Sequence, residues 1–209
     1  MKSTSLLLFF LLPFILTTCS KENTSQGQAK ASNITEANNT TEVNITQAYS
    51  QELDPAPQIP QTFILTDIDE RDINITLNEN KIISQDISQS LILLNIFATW
   101  CPPCKGTLLD LNQLQKKYQK DLLVVGVLVN DDLNTTDLRH FIKKHNTNFY
   151  ISYSEENTPL AMQIAKRLEL PENFPIPLMV LYKDGELFRY YEGAVPIEIM
   201  ENELKQALK

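Results

Sequence analysis

The chain has few of the residues that staple or ligate. Its 209 residues include three cysteines, two histidines and one tryptophan. Cys19 falls in an N-terminal export-like region, which leaves Cys101 and Cys104 for the rest. That count excludes a scaffold stapled by several disulfides. A structural zinc site needs four ligands, and no second Cys or His pair supplies them. His140 and His145 fall on one expected helix and are not spaced as a closed site, so no metal centre is expected. A haem-attachment motif would carry His after Cys104, where Lys105 stands. Basic charge is also scarce. The formal net charge is −8, and there is no basic run, which argues against nucleic acid as a partner.

The N-terminus is patterned for export. Lys2 precedes Leu6–Leu16, an apolar stretch of 11 residues. A transmembrane helix needs about 20 such residues, whereas a signal-peptide core needs no more than these. Residues 1–18 are therefore read as a signal peptide. Leu16-Thr17-Thr18-Cys19 resembles the bacterial lipobox, whose cysteine is lipidated and becomes the mature terminus. Thr18 departs from the usual Gly, Ala or Ser, so an ordinary secretory cleavage is the alternative. Acyl chains on Cys19 would anchor the protein to a membrane without spanning it.

Residues 19–56 are rich in Asn, Thr, Ser, Gln and Glu and show no apolar period. Such a segment cannot bury enough surface to offset its ordering entropy, so a disordered tether is expected. Glu36–Thr40 and Glu42–Thr46 fit Asp/Glu-x-Asn-x-Ser/Thr, which resembles the bacterial N-glycosylation acceptor. That makes Asn38 and Asn44 candidate glycosylation sites. Asp72–Thr76 and Asp132–Thr136 match the same pattern.

Residues 57–209 carry globular patterning. Phe63–Thr66 and Ile73–Leu77, around the polar Asp67–Asp72, read as a β-hairpin. Leu91–Ala98 and Leu122–Val129 are nearly continuous apolar runs, as in strands buried on both faces. Leu108, Leu111, Leu114 and Tyr118 recur at helical spacing after Cys104. Leu138, Phe141 and Ile142 mark a second helix, Phe149–Ile151 a short strand, and Leu160, Ala161, Ile164 and Leu168 a third helix. Leu178–Tyr182 and Glu186–Tyr191 flank Asp184-Gly185, a strong hairpin signal. Ile197, Met200, Leu204 and Leu208 give the inner stripe of a closing helix. The order β-β-β-α-β-α-β-α-β-β-α predicts an α/β fold, a mixed sheet with helices on both faces.

The decisive motif is Trp100-Cys101-Pro102-Pro103-Cys104, placed where a buried strand ends and a helix begins. Unpaired N–H groups and the helix dipole favour a thiolate there, so Cys101 is expected to attack and Cys104, one turn in, to resolve. Pro102 and Pro103 remove two donors near the sulfurs, which should make the pair more reducing than a donor-rich one.

Asn95–Lys105 and Ile176–Gly185 together resemble the two signatures of the thioredoxin superfamily, specifically the TlpA/ResA/CcmG-type exported thiol–disulfide oxidoreductases. The resemblance covers residues 57–209 and implies a thioredoxin-like fold with an N-terminal hairpin and a helix-strand-helix insertion at about 130–176. It implies a cis Pro177 against the disulfide, with the Ile176 peptide and Trp100 receiving the substrate chain. Trp100 as a packing residue remains a second reading. No cofactor is implied beyond the redox-active disulfide.

The implied partners are a membrane thiol electron donor and exported cysteine-containing clients, apocytochrome c among them. The protein would be a monomer on the periplasmic side of a bacterial envelope, reducing client disulfides. A disulfide oxidant or isomerase and a copper-binding chaperone are the alternatives. Two departures stand out. Many superfamily members place a buried acid where this chain has Asn95, and many TlpA/ResA-type proteins place Glu where it has Thr107. A proton-transfer acid is therefore missing from both positions, with Asp110 a further possibility.

Overall fold

The computed structural model describes residues 59–209. The expected signal peptide and tether, with Cys19 and the candidate glycosylation sites Asn38 and Asn44, lie outside the described residues. Among the described residues no helix is long and apolar enough to cross a membrane.

Eight strands form one mixed sheet. β1 (Gln61–Thr66) and β2 (Asp72–Asn78) make the antiparallel hairpin, and β3 (Lys81–Ile83) continues it. β4 (Leu91–Phe97) leads into α1 (Pro102–Lys117), and β5 (Leu122–Leu128) returns parallel to β4. α2 (Thr135–Lys144), β6 (Tyr150–Ser152) and α3 (Asn157–Arg167) supply the expected helix-strand-helix. β7 (Leu178–Lys183) and β8 (Glu186–Glu192) form the second hairpin, and α4 (Ile197–Ala207) closes the chain. The strand order is β1-β2-β3-β8-β7-β4-β5-β6.

β4 is central because every one of its residues is apolar or buried, so it can be covered on both sides. Its even positions Ile92, Leu94 and Ile96 meet the hairpin's Leu65, Ile75 and Leu77 and α3's Leu160 and Ile164. On the opposite face Leu91 and Leu93 pack with Leu111 and Leu114 of α1 and Met200 and Leu204 of α4. Helices thus lie on both faces, as the sequence predicts.

Two local expectations are corrected. β3 is an additional strand with one buried residue, Ile82, and it joins the hairpin to β8. Leu208 is exposed rather than part of the closing stripe; α4 ends at Ala207, which takes the buried position. The two other sequon-like asparagines sit in ordered elements. Asn74 donates its side-chain amide to Asp86 at 2.9 Å, and Asn134 caps α2 by accepting the Asp137 N–H at 2.9 Å.

Candidate redox site

Strand β4 delivers the chain to the start of α1, and Cys101 is the helix N-cap. It accepts the Cys104 N–H on Sγ at 3.2 Å, as a polar capping side chain would. Pro102 and Pro103 fill the first helical positions, where missing N–H groups leave no helical bond unmade. Cys101 and Cys104 form a disulfide with their Cα atoms 5.3 Å apart. Cys101 is 3% exposed and Cys104 fully buried, against Phe97, Leu108 and Phe141.

The Ile176–Pro177 peptide is cis, and Pro177 is buried. The Ile176 carbonyl oxygen lies 3.8 Å from Cys101 Sγ. The Pro177 carbonyl accepts the N–H of Gly193, so the loop before β7 is tied to the loop after β8. Ile176 is partly exposed.

Trp100 is 58% exposed, which sets the packing reading aside for most of its ring. Its indole N–H donates to the Asn130 carbonyl at 2.8 Å. On the other side of the backbone, the Thr99 N–H donates to Asp131 Oδ2 at 2.6 Å. The segment Asn130–Asp131 therefore braces both residues that precede the redox pair. Sequence reasoning missed it: a turn-prone Asn-Asp-Asp after β5 was visible, but nothing local says what it touches. Asn112 was missed likewise. Buried in α1, it donates to the His145 carbonyl at 3.1 Å and accepts the Asn148 N–H at 3.0 Å, which ties α1 to the connection from α2 to β6.

The two departures behave differently. Thr107 is buried and donates its hydroxyl to the Cys104 carbonyl at 2.9 Å, as a helical threonine commonly does. Asn95 is fully buried and neither atom of its amide finds a hydrogen-bond partner among the described residues. By strand alternation it shares the α1 face of β4 with Leu93 and Phe97. Asp110 is half-buried, and burial together with Glu198 raises its pKa above the ordinary carboxylate value.

A cysteine pair at a helix start, backed by an apolar shell and beside the Ile176–Pro177 peptide, can in its reduced form exchange with an incoming disulfide. Comparison with known proteins agrees. The Redoxin family model matches residues 51–208. Thiol-disulfide oxidoreductase ResA of Bacillus thuringiensis subsp. konkukian is 25% identical over 149 residues, covering 69% of this chain and 73% of the relative. Thioredoxin-like protein YneN of Bacillus subtilis is 42% identical over 52 residues, 25% of this chain and 31% of that one.

Among solved structures, a thiol:disulfide interchange protein of the thioredoxin family from Chlorobium tepidum TLS superposes with a TM-score of 0.53 at 17% identity, covering 75% and 99% of the two chains. StoA from Bacillus subtilis gives 0.50 at 21%, covering 71% and 99%. These likenesses establish a thioredoxin-like fold. The chain belongs to the Redoxin family and is a TlpA/ResA/CcmG-like thiol–disulfide oxidoreductase of the thioredoxin superfamily.

Proposed function

We propose that this Redoxin-family oxidoreductase is exported, anchored through Cys19, and reduces disulfides of exported clients with Cys101 as nucleophile and Cys104 as resolving thiol. The observation that carries the reading is the position of Cys101: an N-cap sulfur that accepts a helical N–H and lies against the Ile176–Pro177 peptide. A helix N-terminus stabilises a thiolate, and a thiolate is the attacking species.

In the reduced protein, the Cys101 thiolate attacks one sulfur of the client disulfide. A protein–client S–S bond forms, the client's own S–S bond breaks, and the departing thiolate takes a proton from water. Cys104 then loses its proton and attacks Cys101 Sγ. The second client thiol is released, and the protein is left as the Cys101–Cys104 disulfide. Two electrons pass to the client, and a membrane thiol donor restores them. The chemistry needs no group beyond the cysteine pair. Trp100, Ile176 and Pro177 would hold the client chain as an extended segment. Apocytochrome c, with its paired cysteines, is the client we favour, met by a monomeric protein on the periplasmic side of the envelope. Asn38 and Asn44 would carry glycans, seen as hexosamine-rich mass on the native protein.

The test is trapping. Cys104→Ala should accumulate mixed disulfides in cells that Cys101→Ala does not form, and dithiothreitol should release them. Equal capture by both variants, or capture by neither, would overturn the assignment. Labelling the native protein with a radioactive fatty acid, lost in Cys19→Ser, tests the anchor separately.

A further inference from the structure

Two hollows of opposite electrical character open at Thr99 and Trp100, the two residues before the redox pair. On the Trp100 side is a hollow of about 370 Å³, lined by Trp100, Asn130, Met162, Glu172, Phe174 and Ile176 among others. It shares Asn130 and Thr158 with a second hollow of about 390 Å³, which adds Asp131 and Glu155. The two form one trough that starts at Ile176, beside Cys101, and runs past the start of α3. Three carboxylates line it, and no Lys, Arg or His does.

On the Thr99 side is a hollow of about 320 Å³ that contains Lys105, Lys144, His140 and His145. Its one carboxylate, Asp137, accepts from the Asn134 side chain within the α2 cap. Both histidines of the chain sit here, and so do two of its 18 basic side chains. Burial, with Lys144 and Lys105 nearby, pulls the His145 pKa below its ordinary value, as expected where positive charges converge. In a chain of net charge −8, a basic hollow on one flank of the site and an acidic trough on the other is not the average surface repeated.

The division is fixed by the backbone. Thr99 and Trp100 are consecutive, and each opens onto a different hollow. The bonds from Thr99 N–H to Asp131 and from Trp100 to the Asn130 carbonyl hold that divergence. Asn130 itself is in the left-handed conformation, φ 51°, which turns its peptide toward the indole.

We propose that this charge boundary orients the client. An extended cysteine segment takes its chain direction from the Ile176–Pro177 peptide beside Cys101 and binds with its basic residues in the acidic trough and its acidic residues over the Lys105–Lys144 hollow, so that one order of charges about the client cysteine fits and the reverse does not. This deepens the dithiol reading above and rests on it. Apolar side chains beside the client cysteine are accommodated by Met162 and Phe174, which line the trough.

The experiment uses two capped peptides of identical composition, Lys-Lys-Ser-Cys-Ser-Glu-Glu and its charge-reversed order Glu-Glu-Ser-Cys-Ser-Lys-Lys, each as a mixed disulfide with 2-mercaptoethanol. Both are net neutral, so long-range attraction to an acidic protein does not separate them. The pre-reduced full chain is mixed with each peptide, and single-turnover rate constants are measured.

One order should react about tenfold faster than the other at low salt, the size expected for a few half-solvated ion pairs. That ratio should fall toward one at about 0.5 M salt, where screening lengths shrink to a few ångströms. It should also fall toward one in the Glu155→Gln/Glu172→Gln double variant at low salt. Equal rates for the two orders would overturn the proposal. So would a ratio that survives both salt and the double variant, because something other than charge would then select the order. A reduced protein that reacts with neither peptide overturns the dithiol reading itself.

Discussion

The indole N–H of Trp100 donates to the backbone carbonyl of Asn130 across 30 residues of sequence, at 2.8 Å, while the ring stays more than half exposed. A large aromatic held by one polar edge leaves its face open, and the proposed role of that face is client contact. Separating the two roles requires two substitutions. Trp100→Phe keeps a ring and removes the hydrogen bond, so it should lower stability by about 1 kcal/mol and leave client KM nearly unchanged. Trp100→Ala removes the face as well, and KM should rise about tenfold with kcat moving less than about twofold. Equal kinetic effects of both variants would assign the whole role to the hydrogen bond. Steady-state reduction of a cysteine-bearing peptide reads the split, and urea unfolding reads the stability.

Asn95 presents the opposite situation, a polar group with nothing to hold. Its amide is fully buried on the α1 face of β4, the strand that runs between β5 and β7 with Gly126 and Met179 in register, and both polar atoms are unsatisfied among the described residues. An orphaned buried amide costs about 1–3 kcal/mol. Asn95→Val suits a strand and removes that penalty, so the chemical denaturation midpoint should rise by a corresponding amount.

Asn95→Asp should act through pH. A carboxyl in this site has its folded pKa raised by desolvation above an unfolded value of about 3.9. Stability is then unaffected below the unfolded value and declines as pH rises through the window between the two. Wild type carries no titrating group at this position, so its denaturation midpoint should lack that decline. Parallel pH profiles for Asn95→Asp and wild type would show that the site is wetter than its burial indicates.

The parts legible in the sequence are those whose signal is local. Leu91–Ala98 reads as a buried strand because it is apolar nearly throughout, and β4 occupies Leu91–Phe97 of it. The α1 stripe is visible because three leucines recur at helical spacing, and all three are buried. β3 was invisible because three residues with a single buried side chain have no period to detect. Leu208 misled because the spacing continues past the point where the helix stops. At the site, the cysteine pair and Pro177 announce themselves, whereas Asn130, Asp131 and Asn112 do not. Each of those acts through contacts 30 or more residues away, and composition carries no trace of them. The same holds for the bridge between Asp67 and Ser152, which brings the hairpin against β6 at the far end of the strand order.

Gly185 should be the least replaceable glycine in the domain. It closes the β7–β8 hairpin with φ +82°, after Asp184 at φ 50°. A Cβ there would stand 2.5 Å from the Ile82 carbonyl oxygen, and the Gly185 carbonyl accepts the Ile82 N–H at 2.8 Å. Gly185→Ala therefore meets both a positive φ and a backbone clash that can be relieved only by moving β3. A loss of about 2–4 kcal/mol is expected, within the range for strained backbone positions. Gly193→Ala makes the control. Its φ is also positive, +84°, but no atom lies within 4 Å of the added carbon, so the loss should be smaller by the clash alone. Equal losses in urea unfolding would refute the assignment of the excess to Ile82.

Acid should loosen the domain first where α4 meets the end of α1. Glu201 accepts from Lys117 at 2.6 Å, from Tyr118 at 3.0 Å and lies 2.8 Å from Lys205. Hydrogen bonds from Lys117, Lys205 and Tyr118 pull its pKa down to about 2 from 4.5. A folded-state pKa below the unfolded value stabilises the fold above pH 4.5 and withdraws that support as pH falls toward 2. In Glu201→Gln the charge is absent at every pH, so its thermal midpoint should be lower than wild type at neutral pH and the two should converge as the buffer approaches pH 2. Because the partners are exposed, added salt should narrow the neutral-pH gap. A gap that stays constant from neutral pH to pH 2 would mean that Glu201 contributes through packing against Tyr118, not through its charge.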